Sequence, residues 1–433
     1  MEHRPDRSVA TTAPIRWIRS IAKAIGPGVI TGAADDDPSG IATYSVAGAQ
    51  LGTKLLWTAL LTWPLMAAVQ MMCARIGKVT GEGLAANFKQ RFPRWLLLTF
   101  VIALLAANTI NIAADLAGMA DAAAMLSGVN SHWFVIAFAI FISWATVRLQ
   151  YRQIASVLKW LVLVLFAYPI TAFVVGANWS QVLRDTLMPS MPHSRNEWET
   201  LVAILGTTIS PYLFFWQASE EVDNAREDPE AEPLIKAPAQ APRQLARIQL
   251  DTLVGMGFSN IIALFIMLTT AATLNAHGVK DIQTSSQAAE ALRPIAGEFA
   301  FAIFALGIIG TGLLAVPVLA GSVGYAVGEA FRWRVGLAQL PGRAPAFYAT
   351  IAAATLVGAA LNFTPLDPIK ALFWSAVLNG VAAVPIMVMF MVMGSREAVM
   401  GPFTLKPLLR TLGWVATAVM GAAAVGMFAT WGN

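Results

Sequence analysis

Long apolar segments separated by short polar connections recur along the whole chain. Several of these runs approach or exceed the ~20 apolar residues with which a helix crosses a bilayer. The runs are continuous rather than alternating, which argues against a transmembrane β-barrel. The pattern predicts an all-α polytopic membrane protein with about 11 transmembrane helices. The predicted spans are 24–48, 55–74, 95–126, 133–149, 155–177, 200–219, 252–274, 298–328, 346–361, 369–393 and 409–431.

Two of the spans are interrupted by polar, proline-containing stretches near their middles. Residues 35–40 (DDDPSG) break the first span, and residues 207–212 (TTISPY) break the sixth. Proline removes a backbone donor and crowds the preceding turn, so each stretch favours local unwinding. Freed backbone groups persist inside a membrane only where they line a cavity or bind something. Paired interruptions of this kind are the best sequence indication of a transporter's binding site.

The two broken spans also predict an internal repeat. They are five spans apart, and an odd offset places them in opposite orientations across the membrane. This is the arrangement of an inverted 5+5 repeat. We expect repeat one at 24–177, repeat two at 200–393 and an extra helix at 409–431, all within one transmembrane domain, 24–431, that follows a tail at 1–23.

Charge supports a membrane protein and predicts its orientation. Only 12% of the residues are charged and 57% are hydrophobic, whereas soluble domains carry about a quarter charged residues. With the N-terminus in the cytoplasm, 23 of the 29 Lys and Arg residues fall in cytoplasmic segments, as the positive-inside rule requires. No cleavable signal is evident, so we expect a multi-pass protein of the inner (plasma) membrane. Topology accounts for the net charge of +4, and nucleic acid is not an expected partner.

The largest polar connection is 220–249. It begins with several acidic residues and becomes rich in Pro and Arg. We predict a solvated loop, and a gating or regulatory role is the alternative.

The carboxylates of the first break indicate a cationic substrate. Residues 35–40 lie between apolar flanks, and ionisable residues inside a membrane are candidates for function. Hard divalent cations prefer oxygen ligands with carboxylate charge. Asp37 is therefore the predicted principal ligand, with freed carbonyls and Asp36 as further candidates. The alternative is an extramembrane turn of solvated carboxylates.

The second break supplies hydroxyl and carbonyl oxygens. A carbonyl near Thr207 and the Ser210 hydroxyl are plausible ligands, direct or through water, and Tyr212 adds a hydroxyl to the ion path. The alternative is a proline kink in which Ser and Thr side chains cap the freed carbonyls. For Thr208 in particular, both interpretations stay open.

Polar residues in the third and tenth spans also have either a functional or a structural role. Asn108, Asn111 and Asp115 share one helical face of the third span. They form an ion or proton route or a structural hydrogen-bond seam, with a functional role favoured for Asp115. In the tenth span, Asn379 is either a neutral ligand or an interhelical hydrogen-bond partner.

Other chemistry is not indicated. No nucleophile–base–acid constellation and no Walker loop appears, so an enzyme is not expected, and neither is a resident cofactor. The sole cysteine, Cys73, excludes an internal disulfide. Met191-Pro192-His193 looks like a metal-binding string, but it lies in a polar connection and we interpret it as a loop.

Several short motifs together resemble the Nramp family of divalent-metal transporters. They are Gly26-Pro27-Gly28 leading into Asp37-Pro38, Ile209-Ser210-Pro211-Tyr212, Thr80-Gly81-Glu82-Gly83-Leu84-Ala85 and Tyr325-Ala326-Val327-Gly328-Glu329. The resemblance covers roughly residues 24–430. It implies a LeuT-type fold in which the ion is held between the first and sixth helices near mid-membrane.

The chain also departs from the family pattern, most closely resembling its magnesium-transporting branch. Ser39 and Gly40 follow Asp37-Pro38 where the family has Gly and Asn, so one amide ligand is lost. Ser210 replaces a Met, and Tyr212 replaces a His. Loss of a soft thioether ligand favours hard, partly hydrated cations. Gly118 stands where a second acid is expected and the ninth span lacks an Arg, so the resemblance implies weak or absent proton coupling.

We therefore expect an importer of Mg²⁺ and/or Mn²⁺ that works by alternating access. The first alternative is a proton-coupled Mn²⁺/Fe²⁺ importer. An organic-solute symporter of the same fold is the second alternative, which the three clustered Asp residues disfavour because they repel a substrate carboxylate.

Overall fold

The computed structural model describes residues 31–32, 34–149, 163–228, 230–364 and 367–430. The predicted tail at 1–23, the Gly26-Pro27-Gly28 motif, the first part of the fifth span at 155–162 and the end of the last span at 431 lie outside these residues.

The described part of the chain is helical and contains no strand. The described helices of eight residues or more are α1 to α14 in chain order. They are α1 Pro38–Leu51, α2 Trp57–Thr80, α3 Leu84–Arg91, α4 Arg94–Ser127, α5 Ser131–Arg148, α6 Ala167–Val174, α7 Trp179–Leu187, α8 Arg195–Thr208, α9 Pro211–Glu227, α10 Ala241–Thr273, α11 Ala300–Phe331, α12 Pro345–Leu361, α13 Pro368–Gly394 and α14 Pro407–Ala429.

The membrane-crossing helices largely follow the predicted spans. Eight helical segments of the described chain are long and apolar enough to cross a bilayer, and α12 is a shorter apolar helix. The three longest, α4, α10 and α11, have 34, 33 and 32 residues, more than the ~20 that a bilayer needs. In the fifth span, the segment Leu163–Val174 turns by 118° into α7, a helix that the apolar pattern did not indicate.

Exposed tryptophans fit a membrane setting. Trp95 and Trp133 are each 68% exposed, and Trp144 is also exposed. Because α5 runs back along α4, Trp95 and Trp144 lie towards one end of this pair and Trp133 towards the other. Tryptophan is enriched at both membrane–water interfaces.

Small residues let the central helices approach closely. A Cβ atom on Gly206 of α8 would lie only 2.7 Å from the Cα of Gly380 on α13, and even closer to other backbone atoms of α13. A Cβ on Gly32 would overlap the backbone of Gly255 on α10. These contacts, like other small-residue contacts between membrane helices, hold α8, α10 and α13 around the broken first helix.

The expectation of a solvated loop at 220–249 is wrong over much of its length. Helix α9 continues to Glu227 and α10 begins at Ala241. Glu221 is fully buried and accepts a hydrogen bond from Arg247, while Asp223 accepts one from Tyr325 (2.6 Å). Partners for the acidic run thus come from α10 and α11 and hold it inside the helix bundle, which the sequence around 220–227 did not reveal.

Replacing Arg247 with Ala is expected to destabilise the protein by about 3 kcal/mol, because removal of one partner leaves a buried carboxylate without compensation. Thermal unfolding of the purified protein measures the change. Glu221→Gln in the Arg247→Ala background should restore much of the loss. Arg293→Ala is the matched control, since the exposed Arg293 pairs with the exposed Glu298 and such pairs contribute about 0–1 kcal/mol. Equal effects of the two Arg substitutions would contradict the prediction.

Candidate metal-binding site

The two breaks have the same local construction. Residues 31–32 and 34–35 are helical, the helix is interrupted at Asp36 and Asp37, and it resumes at Pro38. In the other half, α8 ends at Thr208 and α9 begins at Pro211. Each new helix has proline at its first position, where the missing N–H costs nothing. Asp37 and Ser210 are the respective N-cap residues, so the repeat places them in equivalent positions.

The Asp37 carboxylate lies at the centre of the first break and is 2% exposed. Its Oδ1 accepts a short hydrogen bond from the Gly40 amide (2.6 Å). Its Oδ2 accepts longer bonds from the Tyr212 hydroxyl (3.3 Å) and the Asn111 amide (3.4 Å). One oxygen thus caps α1, and the other faces α9 and α4.

Tyr212 connects the carboxylate to the freed backbone. Its hydroxyl also lies 3.3 Å from the carbonyl oxygen of Ala34. An oxygen from each half of the broken first helix therefore meets the same phenol group. This places Tyr212, predicted for the ion path, beside Asp37.

The polar groups of the second break largely satisfy one another. The Ser210 hydroxyl lies 2.6 Å from the Gly206 carbonyl and 2.9 Å from the Thr207 carbonyl. Thr208 contacts the Ile204 carbonyl and the Tyr44 hydroxyl. This is the capping arrangement of the alternative interpretation. The Ser210 oxygen keeps lone pairs that can accept or coordinate, so the metal role of Ser210 stays a prediction.

Thr207 approaches the first break from the opposite side. A Cβ atom on Gly40 would lie 3.2 Å from Thr207 Oγ1 and 3.5 Å from Asp37 Oδ1. Thr207 therefore borders the same small space as Asp37, and glycine at position 40 leaves that space open.

Asp35 and Asp36 turn towards α10. The Ser259 hydroxyl lies 2.6 Å from Asp35 Oδ2 and 3.0 Å from Asp36 Oδ1. The second carboxylate oxygen of each residue is buried and has no hydrogen-bond partner in the described chain. The sequence did not predict this role for Ser259, because a single serine in an apolar span does not indicate a binding residue. The metal role of Asp36 stays a prediction, and the structure directs one of its oxygens to Ser259.

The polar face of α4 points into the centre of the bundle. Asn108, Asn111 and Asp115 are all fully buried. Asn108 donates to Ser322 and to the Leu319 carbonyl of α11, which fits a structural seam. Asp115 faces the first turn of α1, where it interacts electrostatically with Asp37 and with the Ser39 backbone.

Asn379 lies on α13, one turn beyond Ser375. Ser375 contacts the Ser39 hydroxyl at 3.3 Å, which ties α13 to the first turn of α1. Asn379 is 1% exposed, and its Oδ1 has no partner in the described chain. It is thus buried near the breaks with a free amide oxygen, and its ligand role stays a prediction.

The electrostatics of the breaks favour a cation beside Asp37. The first half of each broken helix ends here, with the Ala34 and Thr207 carbonyls accepting from hydroxyl groups, and helix C-termini carry partial negative charge. Within the described residues, no group of three or more His, Cys, Asp or Glu side chains is arranged to hold a metal ion. Any ion here would be held by one carboxylate together with carbonyl, amide and hydroxyl oxygens, a donor set suited to hard cations.

A family model described as natural resistance-associated macrophage protein-like, Nramp, matches residues 28–430. The chain belongs to the Nramp family. Among its relatives, a protein named divalent metal cation transporter MntH from Deinococcus radiodurans is 26% identical and covers 97% of this chain and 93% of its own length. The protein of that name from Aeromonas hydrophila is 24% identical, covering 95% and 96%.

Solved structures confirm the LeuT-type fold. The Eremococcus coleocola manganese transporter in complex with an aromatic bis-isothiourea compound has a TM-score of 0.74 at 17% identity, covering 99% of this chain and 89% of that one. Mhp1, a nucleobase-cation-symport-1 family transporter, has a TM-score of 0.52 at 14% identity, covering 94% and 93%. The inverted repeat expected from the two breaks is therefore the fold of this Nramp chain.

Two of the motifs that carry the Nramp resemblance meet in space. Glu329, at the end of α11, accepts hydrogen bonds from Ser219 (2.9 Å) and from the Ala86 amide at the N-terminus of α3 (3.2 Å). A Cβ atom on Gly83 would overlap the Glu329 carboxyl group. A carboxylate is stabilised at a helix N-terminus, and glycine at position 83 makes room for it. These motifs therefore join α3, α9 and α11 and lie away from the breaks.

Proposed function

We propose that this protein is a secondary transporter that carries divalent metal cations across the plasma membrane by alternating access. The observation that supports the proposal most strongly is the buried Asp37 carboxylate beside the freed carbonyl of Ala34. An ion held there would be closed off from solvent, since Asp37 and Ser210 are 2% and 1% exposed. Transport would require α1 and α9 to move relative to the surrounding helices, opening the site to each side in turn.

The donor types support Mg²⁺ and Mn²⁺ as substrates. The groups at the breaks that offer oxygen are Asp37, Ser210, Thr207, Tyr212 and backbone carbonyls, and residues 35–40 and 207–212 include no Met, Cys or His. Oxygen donors suit Mg²⁺ and Mn²⁺, whereas thioether and thiolate sulfur favours softer metals. Mg²⁺ keeps several of its waters and needs few protein ligands, which fits a site with one principal carboxylate.

The membrane potential supplies a sufficient driving force without protons. It contributes ~2.3 kcal/mol per charge at 100 mV, or ~4.6 kcal/mol for a divalent ion. We therefore propose that import is weakly coupled or uncoupled to protons. The buried Asp115 beside Asp37 is the observation that favours the alternative, a proton-coupled Mn²⁺ importer.

Uptake by proteoliposomes, with an internal pH dye, distinguishes the two candidates. We expect uptake of Mg²⁺ and Mn²⁺ that rises when a potassium diffusion potential makes the interior negative, with little acidification and weaker uptake of Cd²⁺. Robust Cd²⁺ uptake with acidification of the lumen would favour the proton-coupled importer. Liposomes without protein are the control for leakage.

We propose further that the N-terminus lies in the cytoplasm and that residues 24–431 act as one transport unit. The excess of Lys and Arg in the connections on one side supports this orientation. Cysteine labelling from either side of the membrane, at single sites such as Lys54→Cys and Lys236→Cys in a Cys73→Ser background, tests it. Lys54 should react from outside and Lys236 from inside.

A further inference from the structure

We infer that Asn111 on α4 is a direct ligand of the transported ion and supplies an amide oxygen beside Asp37. The inference rests on the proposed function and extends it to a residue of a different helix.

The two oxygens of the Asp37 carboxylate face different groups. Oδ1 accepts a hydrogen bond from the Gly40 amide, and position 40 has no side chain. The other oxygen, Oδ2, faces the Asn111 amide at 3.4 Å and the Tyr212 hydroxyl at 3.3 Å. The side chains that face this second oxygen therefore come from α4 and α9.

The amide group of Asn111 has an oxygen that can turn towards Asp37. Asn111 is fully buried, and its Oδ1 has no hydrogen-bond partner among the described residues. The long contact of its NH₂ group with Asp37 is its one hydrogen bond there. A half-turn of the amide exchanges its oxygen and nitrogen, which would bring the carbonyl oxygen next to Asp37 Oδ2. Two oxygens in that position repel each other unless a cation lies between them.

The spacing of the groups around Asp37 is close to the spacing of ligand oxygens around Mg²⁺. Mg²⁺ binds oxygen octahedrally at 2.0–2.1 Å, so neighbouring ligand oxygens are about 3.0 Å apart. Asp37 Oδ2 lies 3.4 Å from Asn111 Nδ2, the position that a half-turn of the amide gives to its oxygen, and 3.3 Å from the Tyr212 hydroxyl. The Tyr212 hydroxyl lies 3.3 Å from the Ala34 carbonyl oxygen. Small shifts bring these groups to the edge length of an octahedron, with waters completing the shell.

Asn108 provides a matched comparison on the same helix. It is equally buried, and its Oδ1 also lacks a partner in the described chain. Its NH₂ group, however, donates to Ser322 and Leu319 and ties that side chain to α11. The contact with Asp37 is what distinguishes Asn111.

Mn²⁺ binding to the purified full-length protein, followed by the electron paramagnetic resonance signal of free Mn²⁺ with Mg²⁺ as competitor, tests the inference. Asn111→Ala and Asn111→Ser are expected to weaken Mn²⁺ binding about tenfold or more, since even outer-shell substitutions at metal sites cost 10–100-fold. Asn108→Ala should stay within about threefold of wild type.

Asn111→Asp separates a ligand from a positioning residue. A carboxylate is a good ligand for Mn²⁺, so this variant should bind Mn²⁺ at least as tightly as wild type. If Asn111 merely positions Asp37 by donating a hydrogen bond, the aspartate would repel Asp37 and weaken binding as much as alanine does. That result, or wild-type affinity in both Asn111→Ala and Asn111→Ser, would overturn the inference. Asp37→Asn is measured alongside: wild-type affinity in that variant would instead refute the proposed site as a whole.

Discussion

Asp37→Asn is expected to reduce divalent-cation uptake at least roughly 100-fold, because losing the charged ligand should cost more than losing an outer-shell group. The substitution keeps the size of the side chain and removes its charge. Its amide oxygen still accepts the bond from Gly40, so the start of α1 is preserved. The loss should therefore appear in transport and ion binding and leave the fold intact. Initial rates of Mg²⁺ and Mn²⁺ uptake into proteoliposomes measure it.

Asp367 offers a matched control. It is also an N-cap aspartate followed by proline, at the start of α13, where it accepts bonds from the amides of Ile369 and Lys370. It lies outside the two breaks, is 29% exposed and pairs with the exposed Lys370 (3.4 Å). Asp367→Asn should transport within about twofold of wild type, since ion pairs open to solvent contribute little. Comparable uptake by the two variants would show that Asp37 is not the principal ligand.

Gly206→Ala is expected to destabilise the protein by about 3 kcal/mol or more, the upper range for overpacking a core. The added Cβ would meet the backbone of α13 at Ala376 and Gly380. Backbone atoms cannot rotate away as a flexible side chain does, so α8 and α13 must separate. The Gly206 carbonyl also accepts the Ser210 hydrogen bond at the second break, and displacement of α8 should lower transport as well. Thermal unfolding and uptake rates measure both effects.

Gly307→Ala on α11 is the control for this prediction. A Cβ there would touch only Leu165 Cδ2, at an ordinary 3.5 Å. Alanine is favoured over glycine inside a helix by up to about 1 kcal/mol, so this variant should be as stable as wild type or slightly more so. If Gly206→Ala melts at the same temperature as Gly307→Ala, the close contact of α8 and α13 does not contribute to stability.

Sequence reasoning found the breaks because their signals are local. Proline and polar residues within an apolar run identify a broken helix wherever its partners lie, and Pro38 and Pro211 begin new helices as expected. The prediction for 220–249 was wrong because it treated carboxylates as solvated. Their partners come from other helices: Arg247 of α10 for Glu221 and, about 100 residues away, Tyr325 of α11 for Asp223.

The sequence by itself determined the membrane class, the inverted repeat and the position of Asp37, because length, hydropathy and proline act along the chain. Only the tertiary structure decided which side chains meet that carboxylate: Tyr212 from α9 and Asn111 from α4 contact Asp37, whereas Ser259 from α10 takes Asp35 and Asp36. These pairings depend on how the helices are rotated and how closely they approach, and packing between distant segments fixes both.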